Sequence, residues 1–300
     1  MITLTNDKAV RRFDEAVMLL PPDLRKDLRQ LTFSERAEAE ELRLRIGSPV
    51  TVVMPEGERY IGVTPITGEH IEGLMNIATR VSAHTCRDSI RLGYITTHGG
   101  FRIGLCGTAI MKNGEADGFR ELTSAAVRIS REIEGLSDPV FEMLPEEFRS
   151  TLILSPPGCG KTTLLRDMVR KLSDDGTRVS LADERSEIAA VWQGTPQMNV
   201  GAHTDVMDGC PKSQAVMMLL RAMNPQLIAI DEITQQNDIQ AIKEAANCGV
   251  EILATAHAWD DKDLTLKPMY RELLEQKIFK YAVVISKENG ERKYEVKRLC

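Results

Sequence analysis

An α/β fold, a parallel sheet preceded by a smaller α+β domain, is what this 300-residue sequence predicts, and three observations predict it. Residues 151–163 read TLILSPPGCGKTT, an apolar strand-sized run passing through a glycine-containing loop into a helical pattern. Beyond them, short apolar runs alternate with helix-length segments, the signature of a parallel sheet with right-handed crossovers. Before them, extended runs are broken by glycine clusters, as in a small antiparallel sheet.

In chain order, residues 8–20 and 21–31 carry helical spacing interrupted at Pro21-Pro22. In ELRLRIGSPVTVVM, residues 41–54, Leu42, Leu44 and Ile46 alternate with charged or small neighbours. Gly47-Ser48-Pro49 then turns the chain into a second extended run, which predicts a two-strand unit. Residues 68–82 return to helical period, with Ile71, Leu74, Met75 and Ala78 on one face. Residues 91–111 predict strands joined by a tight Gly99-Gly100 turn, and Asn113-Gly114 marks another turn. After the boundary, strands are expected over 152–154, 178–182, 227–230 and 251–255, and helices over 161–172, 212–223 and 238–248. Residues 281–286 and 294–298 read as a closing hairpin. Pro139 and Pro145, among charged residues without periodicity, put the boundary near 140. The domains are then 1–140, α+β, and 141–300, α/β.

Composition narrows the function. Charged residues make up 27% and apolar residues 42%, as in a soluble globular protein. A net charge of −6 makes stable nucleic-acid binding unexpected. None of the six cysteines forms a C-x-x-C pair, so no zinc site is signalled, and reduced thiols in a cytoplasm fit best. The first residues, MITLTNDK, predict no export leader. No apolar run approaches the ~20 residues that span a bilayer.

The segment SPPGCGKTT carries the chemistry. Backbone N–H groups can converge on phosphate oxygens only where side chains do not intrude, and a helix N-terminus adds unpaired donors and a favourable dipole. Ser155, Pro156, Pro157, Gly158, Cys159, Gly160, Lys161, Thr162 and Thr163 are therefore candidate nucleotide contacts. Lys161 would reach the β- and γ-phosphates, and the Thr162 hydroxyl would ligate Mg²⁺. Ser155 stands where the usual pattern G-x-x-x-x-G-K-[ST] begins with glycine; a serine serves there if its φ is negative.

Residues 227–233 read LIAIDEI. Asp231 and Glu232 close a buried strand, at the end that faces the ligand crevice of an open parallel sheet. Asp231 could hold Mg²⁺ through water, and Glu232 could orient or deprotonate the attacking water. His257, ending the run EILATAH, would stand on the same rim. In DERSE, Asp183, Glu184 and Glu187 could steer Mg²⁺ or water; the alternative is an acidic helix start stabilised by the dipole. Arg221 ends a helix before the acidic strand and is a catalytic candidate, although helix C-termini attract cations anyway. Arg102, Arg128 and Arg131 lie outside this core and are candidates for an arginine supplied by another domain or subunit.

The order SPPGCGKTT, DERSE, LLRAMNPQLIAIDEI and ATAHA resembles the P-loop secretion ATPases of type II and type IV systems and pilus motors. That resemblance implies a RecA-like P-loop NTPase sheet, ATP and Mg²⁺. It also implies a hexameric homo-oligomer with ATP between each subunit's two domains. It places Lys161 and Thr162 in the Walker A loop, and Asp183, Glu184 and Glu187 in the acidic box. Asp231 and Glu232 fall in the Walker B strand, preceded by Arg221, and His257 falls in the histidine box. Many such relatives carry glycine where Asp231 stands. ELRLRIGSPV, GGFRIGLCGTA and VRISREI, all ahead of SPPGCGKTTLLRD, narrow the resemblance to the stage III sporulation protein AA family. That family implies a cytoplasmic ATPase on the mother-cell side of a sporulating cell, powering a secretion-like channel to the forespore. Membrane-embedded components of that channel would be its partners. The competing readings are a nucleic-acid-binding P-loop ATPase and a ring subunit that binds ATP without turnover.

Overall fold

The structure, a computed structural model, describes residues 2–79, 87–130, 132–288 and 291–300. It divides into two compact units: Met1–Arg131 with Ala190–Gln197, and Glu132–Ala189 with Met198–Cys300.

The first unit opens with α1 (Ile2–Val17), α2 (Pro22–Leu28) and α3 (Phe33–Glu38), followed by β1 (Glu41–Arg45), β2 (Thr51–Met54) and β3 (Gly57–Tyr60). Then come α4 (Gly68–Ala78), α5 (Arg87–Arg91), β4 (Tyr94–Thr97), a 3₁₀ turn at His98–Gly100, β5 (Phe101–Lys112) and β6 (Glu115–Arg128). The end of the helical stretch expected over 68–82 lies outside the described residues. The strands form one sheet in the order β3-β2-β1-β6-β5-β4, antiparallel throughout. Six strands exceed the small sheet expected. The extra edge strand β3, GERY, is exposed along its length and shows no apolar alternation to betray it. β1 alternates as its sequence implies, burying Leu42 and Leu44. Asn113 and Gly114, at φ 54° and 84°, supply the two positive-φ residues of the tight turn between β5 and β6.

The second unit contains α6 (Asp138–Met143), β7 (Thr151–Ser155), α7 (Lys161–Asp174), β8 (Val179–Asp183), β9 (Thr204–Asp208), α8 (Lys212–Ala222) and β10 (Leu227–Ile230). It continues with α9 (Gln236–Asn247), β11 (Glu251–His257), α10 (Asp261–Leu266), α11 (Pro268–Glu275), β12 (Tyr281–Glu288) and β13 (Glu291–Arg298). The sheet order is β13-β12-β7-β11-β10-β8-β9, parallel except for the terminal β12–β13 hairpin. Two residues of that hairpin's turn, Asn289 and Gly290, lie outside the described residues. β7, β8 and β10 are buried at every position, so they carry apolar residues on both faces rather than alternating ones, without a break in β10. β9, TDVMD, escapes a sequence reading because an edge strand needs no such run.

Residues 135–137 belong with this unit for a clear reason. The buried Asp167 of α7 accepts hydrogen bonds from Gly135 N (3.2 Å), Ser137 N (2.7 Å) and Ser137 Oγ (2.7 Å). These bonds, with Arg170 beside it, hold the Asp167 pKa below its ordinary value against the opposing effect of burial, which is the largest single influence.

Candidate functional site

The parallel strands carry their C-terminal residues to one edge of the sheet. Ser155 ends β7 beside His257 of β11, and Ile230 of β10, next to Asp231, pairs with Ala254. Ser155 has no positive φ, so serine serves as the first residue of the loop. Gly158 and Gly160 do need left-handed backbone, at φ 75° and 92°. From Gly158 to Thr163 no backbone N–H has an acceptor among the described residues; the first that does is Leu164 N, which donates to Gly160 O at 3.0 Å. A run of unpaired donors at the mouth of a 14-residue helix is a site built for an anion.

Beside it lies a cavity of about 430 Å³, lined by Pro157, Gly158, Gly160, Lys161, Thr162, Glu184, Arg185, Glu187, Lys212, Asp231, Glu232, Thr234 and His257. Lys161 Nζ donates to Ser155 O (3.1 Å), Pro156 O (3.3 Å) and His257 Nδ1 (2.8 Å). His257 Nε2 lies 2.8 Å from Glu232 Oε2. With Lys161 ammonium as the donor, Nδ1 is the acceptor, so the proton sits on Nε2 and is donated to Glu232. Burial lowers the Lys161 pKa, while Glu232 and Asp231 pull the other way. Burial raises that of Asp231, and Glu187 adds to the rise. The lining thus offers four carboxylates against three cationic side chains, together with hydroxyls. These are hard oxygen donors suited to a small divalent ion that also takes substrate phosphates and waters. Among the described residues no cluster of three or more His, Cys, Asp or Glu side chains could hold a metal unaided.

Several candidate residues stand elsewhere. Asp183 is fully buried and its oxygens accept the N–H groups of Glu187 (2.9 Å), Ile188 (3.0 Å) and Ala189 (2.8 Å). Burial pushes its pKa up to about 6. It folds the loop that carries Glu184 and Glu187 and does not line the cavity. Nor do residues 184–187 start a helix. The buried Arg166 completes this loop, donating from Nε to Ile188 O (2.5 Å) and from Nη2 to Glu187 O (2.6 Å). Pro156, Cys159 and Thr163 belong to the loop and helix start but not to the cavity wall, and Ser155 turns its hydroxyl to Pro156 O (2.8 Å). Arg221 lies at the opposite edge of the sheet, beside residues 224–227 that lead into β10. A side chain at the strands' N-terminal ends lies away from the cavity at their C-terminal ends.

Arg102 and Arg128 are cross-strand partners on β5 and β6 of the first unit. The Arg102 guanidinium stacks 3.9 Å over the Tyr94 ring, and Arg128 faces Glu41 at 4.0 Å. Arg131 lies outside the described residues.

Sequence reasoning missed Lys212, buried at the first position of α8, with Nζ 3.1 Å from Glu184 Oε2 and 3.3 Å from Thr234 Oγ1. Its signal was a cation at a helix N-terminus, where the macrodipole disfavours one.

Residues 10–296 match the family described as Sporulation stage III, protein AA. The chain belongs to the stage III sporulation protein AA family. Stage III sporulation protein AA of Bacillus subtilis (strain 168) is 34% identical over 284 residues, covering 92% of both chains. Among solved structures, the family's fold is that of the Legionella pneumophila ATPase DotB. The TM-score is 0.57 at 17% identity, over 86% of this chain and 76% of that one. The pilus retraction motor PilT, solved with bound ADP, matches equally well. Its TM-score is 0.57 at 19% identity, over 87% of this chain and 79% of that one. The chain is therefore α/β, with the RecA-like parallel sheet of these two structures. Among its described residues no helix is long and apolar enough to cross a membrane.

Proposed function

We propose that this chain is a Mg²⁺-dependent ATPase that works as a motor, and the observation that carries the proposal is the run of acceptor-less N–H groups from Gly158 to Thr163 beside Lys161 and Glu232. Those amides and the Lys161 ammonium hold the β- and γ-phosphates, exchanging the carbonyl partners of Lys161 for phosphate oxygens. Thr162 and Asp231 would hold a Mg²⁺ ion, which would supply charge neutralisation at the phosphates. Glu232 orients the attacking water and takes its proton. Its Oε2 already accepts from His257, which leaves Oε1 as the oxygen available to a water. His257 links Lys161 to Glu232 and so ties the phosphate contact to the base. Glu184 and Glu187 stand on the loop fixed by Asp183 and Arg166, where they would order water around such an ion.

The motor acts as a ring of identical subunits, a hexamer, on the cytoplasmic, mother-cell side of a channel to the forespore. It docks against that channel's membrane-embedded components. Arg102 and Arg128 are the arginines offered to the nucleotide of another copy. Support comes from the family and from the fold shared with a secretion ATPase and a pilus retraction motor.

The test is phosphate release from ATP against protein concentration, with and without Mg²⁺, and with Glu232→Gln as control. Turnover should require Mg²⁺, rise faster than linearly with protein, and fall on the order of 10²–10⁴-fold in E232Q. Equal turnover in E232Q would remove Glu232 as the base, and a strictly linear rise would remove the ring.

A further inference from the structure

The terminal hairpin extends past the sheet. β12 pairs with β7 from Tyr281↔Thr151 to Val284↔Leu154. It then runs on to Glu288 before β13 returns from Glu291. Since β7 ends at Ser155, the distal hairpin runs alongside the glycine loop. There the Arg292 guanidinium covers Gly160: a Cβ on that glycine would stand 2.9 Å from Arg292 Cζ and Nη2 and 3.1 Å from Nε. Three guanidinium atoms at nearly one distance mean that the group lies flat on the loop.

That placement is unfavourable as it stands. The loop already presents unpaired N–H groups, the positive end of α7 and the Lys161 ammonium. Among the described residues Arg292 makes neither an ion pair nor a hydrogen bond. Further along the same strand, Lys297 is neutralised by Asp261 at 2.9 Å and Glu295 at 3.6 Å. An exposed cation laid on an electropositive helix mouth, with no carboxylate paired to it among the described residues, is arranged for an anion that arrives from outside.

The sheet order says which part of the anion. Glu232, His257, Glu184 and Lys212 come from β10, β11, the loop after β8 and the start of α8, all on one side of β7; the hairpin lies on the other. A triphosphate with its terminal phosphate at Lys161 and Glu232 leads its nucleoside-proximal phosphates away from β10, towards β12 and β13. We propose that Arg292 is a nucleotide-binding residue, its guanidinium engaging the α- and β-phosphates that ADP and ATP share. This rests on the nucleotide reading of the loop.

Calorimetric titration of the full chain with Mg–ADP and Mg–ATP tests it, using R292M, which keeps an unbranched side chain and removes the guanidinium and its charge, and R292K, which keeps the charge. R298A, at the base of the same hairpin, controls for general loss of positive charge. R292M should bind both nucleotides on the order of tenfold to a hundredfold more weakly and by similar factors, with R292K within a few-fold of wild type and R298A unchanged. Wild-type affinity in R292M, or a loss confined to ATP, overturns the assignment while leaving the nucleotide site intact. A wild-type chain that binds neither nucleotide overturns the site itself.

Discussion

The two edges of the parallel sheet both carry cavities, and the larger one has the less chemistry. At the N-terminal ends of the strands, a cavity of about 1000 Å³ is lined by Glu147, Arg149, Arg221, Asn224 and Glu251 among others. Several of its charges are answered: Arg149 pairs with Glu147 at 2.7 Å and Glu251 at 3.3 Å, and Glu251 also accepts Ser150 N and Oγ, each at 2.5 Å. The cavity at the C-terminal ends is under half that volume, about 430 Å³. It holds unpaired backbone donors, a lysine whose acceptors are carbonyls and an imidazole, and a half-buried aspartate whose pKa is raised by burial and by Glu187. The difference follows from chain direction. Helix N-termini and their free N–H groups gather where parallel strands end; helix C-termini gather where they begin. Unsatisfied polar groups, not volume, mark the edge built for a ligand.

The largest effect that could break this comparison is at Lys161. Lys161→Ala should weaken nucleotide binding on the order of a hundredfold or more, read by titration with a fluorescent ATP analogue. It removes the cation that faces the loop from inside the wall. Tight ATP binding retained in this variant would mean that the C-terminal edge is not the nucleotide site, and the contrast between the two edges would lose its meaning.

What was legible in the sequence was what is local. TLILSPPGCGKTT encodes strand, loop and helix within 13 residues, and the structure places them at 151–155 and from 161 onward. The Asn113-Gly114 turn is local in the same sense, because its two positive-φ residues announce themselves. What failed to show depends on distance. Ala190–Gln197 belongs to the first unit, where the Trp192 ring meets His98 edge-on at 5.2 Å and Gln197 Oε1 accepts Gly99 N at 2.8 Å. No periodicity in those eight residues could announce partners almost a hundred positions away. Asp183 shows a second limit. A carboxylate after a strand looks the same whether it faces a metal or gathers three amides of its own loop, and only burial separates the two. Arg292 gave no signal because its strand is a polar edge whose proximity to Gly160 arises from the sheet order alone.

Lys212 and Arg221 sharpen the comparison because a single helix, α8, carries one to each edge. Lys212 stands buried at its N-terminus against the dipole, held by Glu184, and Arg221 stands exposed in its last turn with the dipole. Lys212→Met keeps the stem and removes the charge. It should weaken Mg–ATP binding about tenfold, because the ammonium that now faces Glu184 and Thr234 would no longer be available to the terminal phosphate. An affinity equal to wild type would make Lys212 a partner of Glu184 alone.

Arg221→Ala is the smallest effect and the most discriminating control. Exposed cations at helix C-termini contribute a few tenths of a kcal/mol through the dipole, so unfolding free energy by urea titration should change by about 0.5 kcal/mol or less. Turnover per subunit should stay within about twofold of wild type at matched protein concentration, since in this chain the guanidinium and Glu232 lie at opposite ends of β10. A large loss of turnover with unchanged stability would show that the N-terminal edge of one copy takes part in hydrolysis by another. The division of labour between the two edges would then hold within a chain but not across the assembled ring.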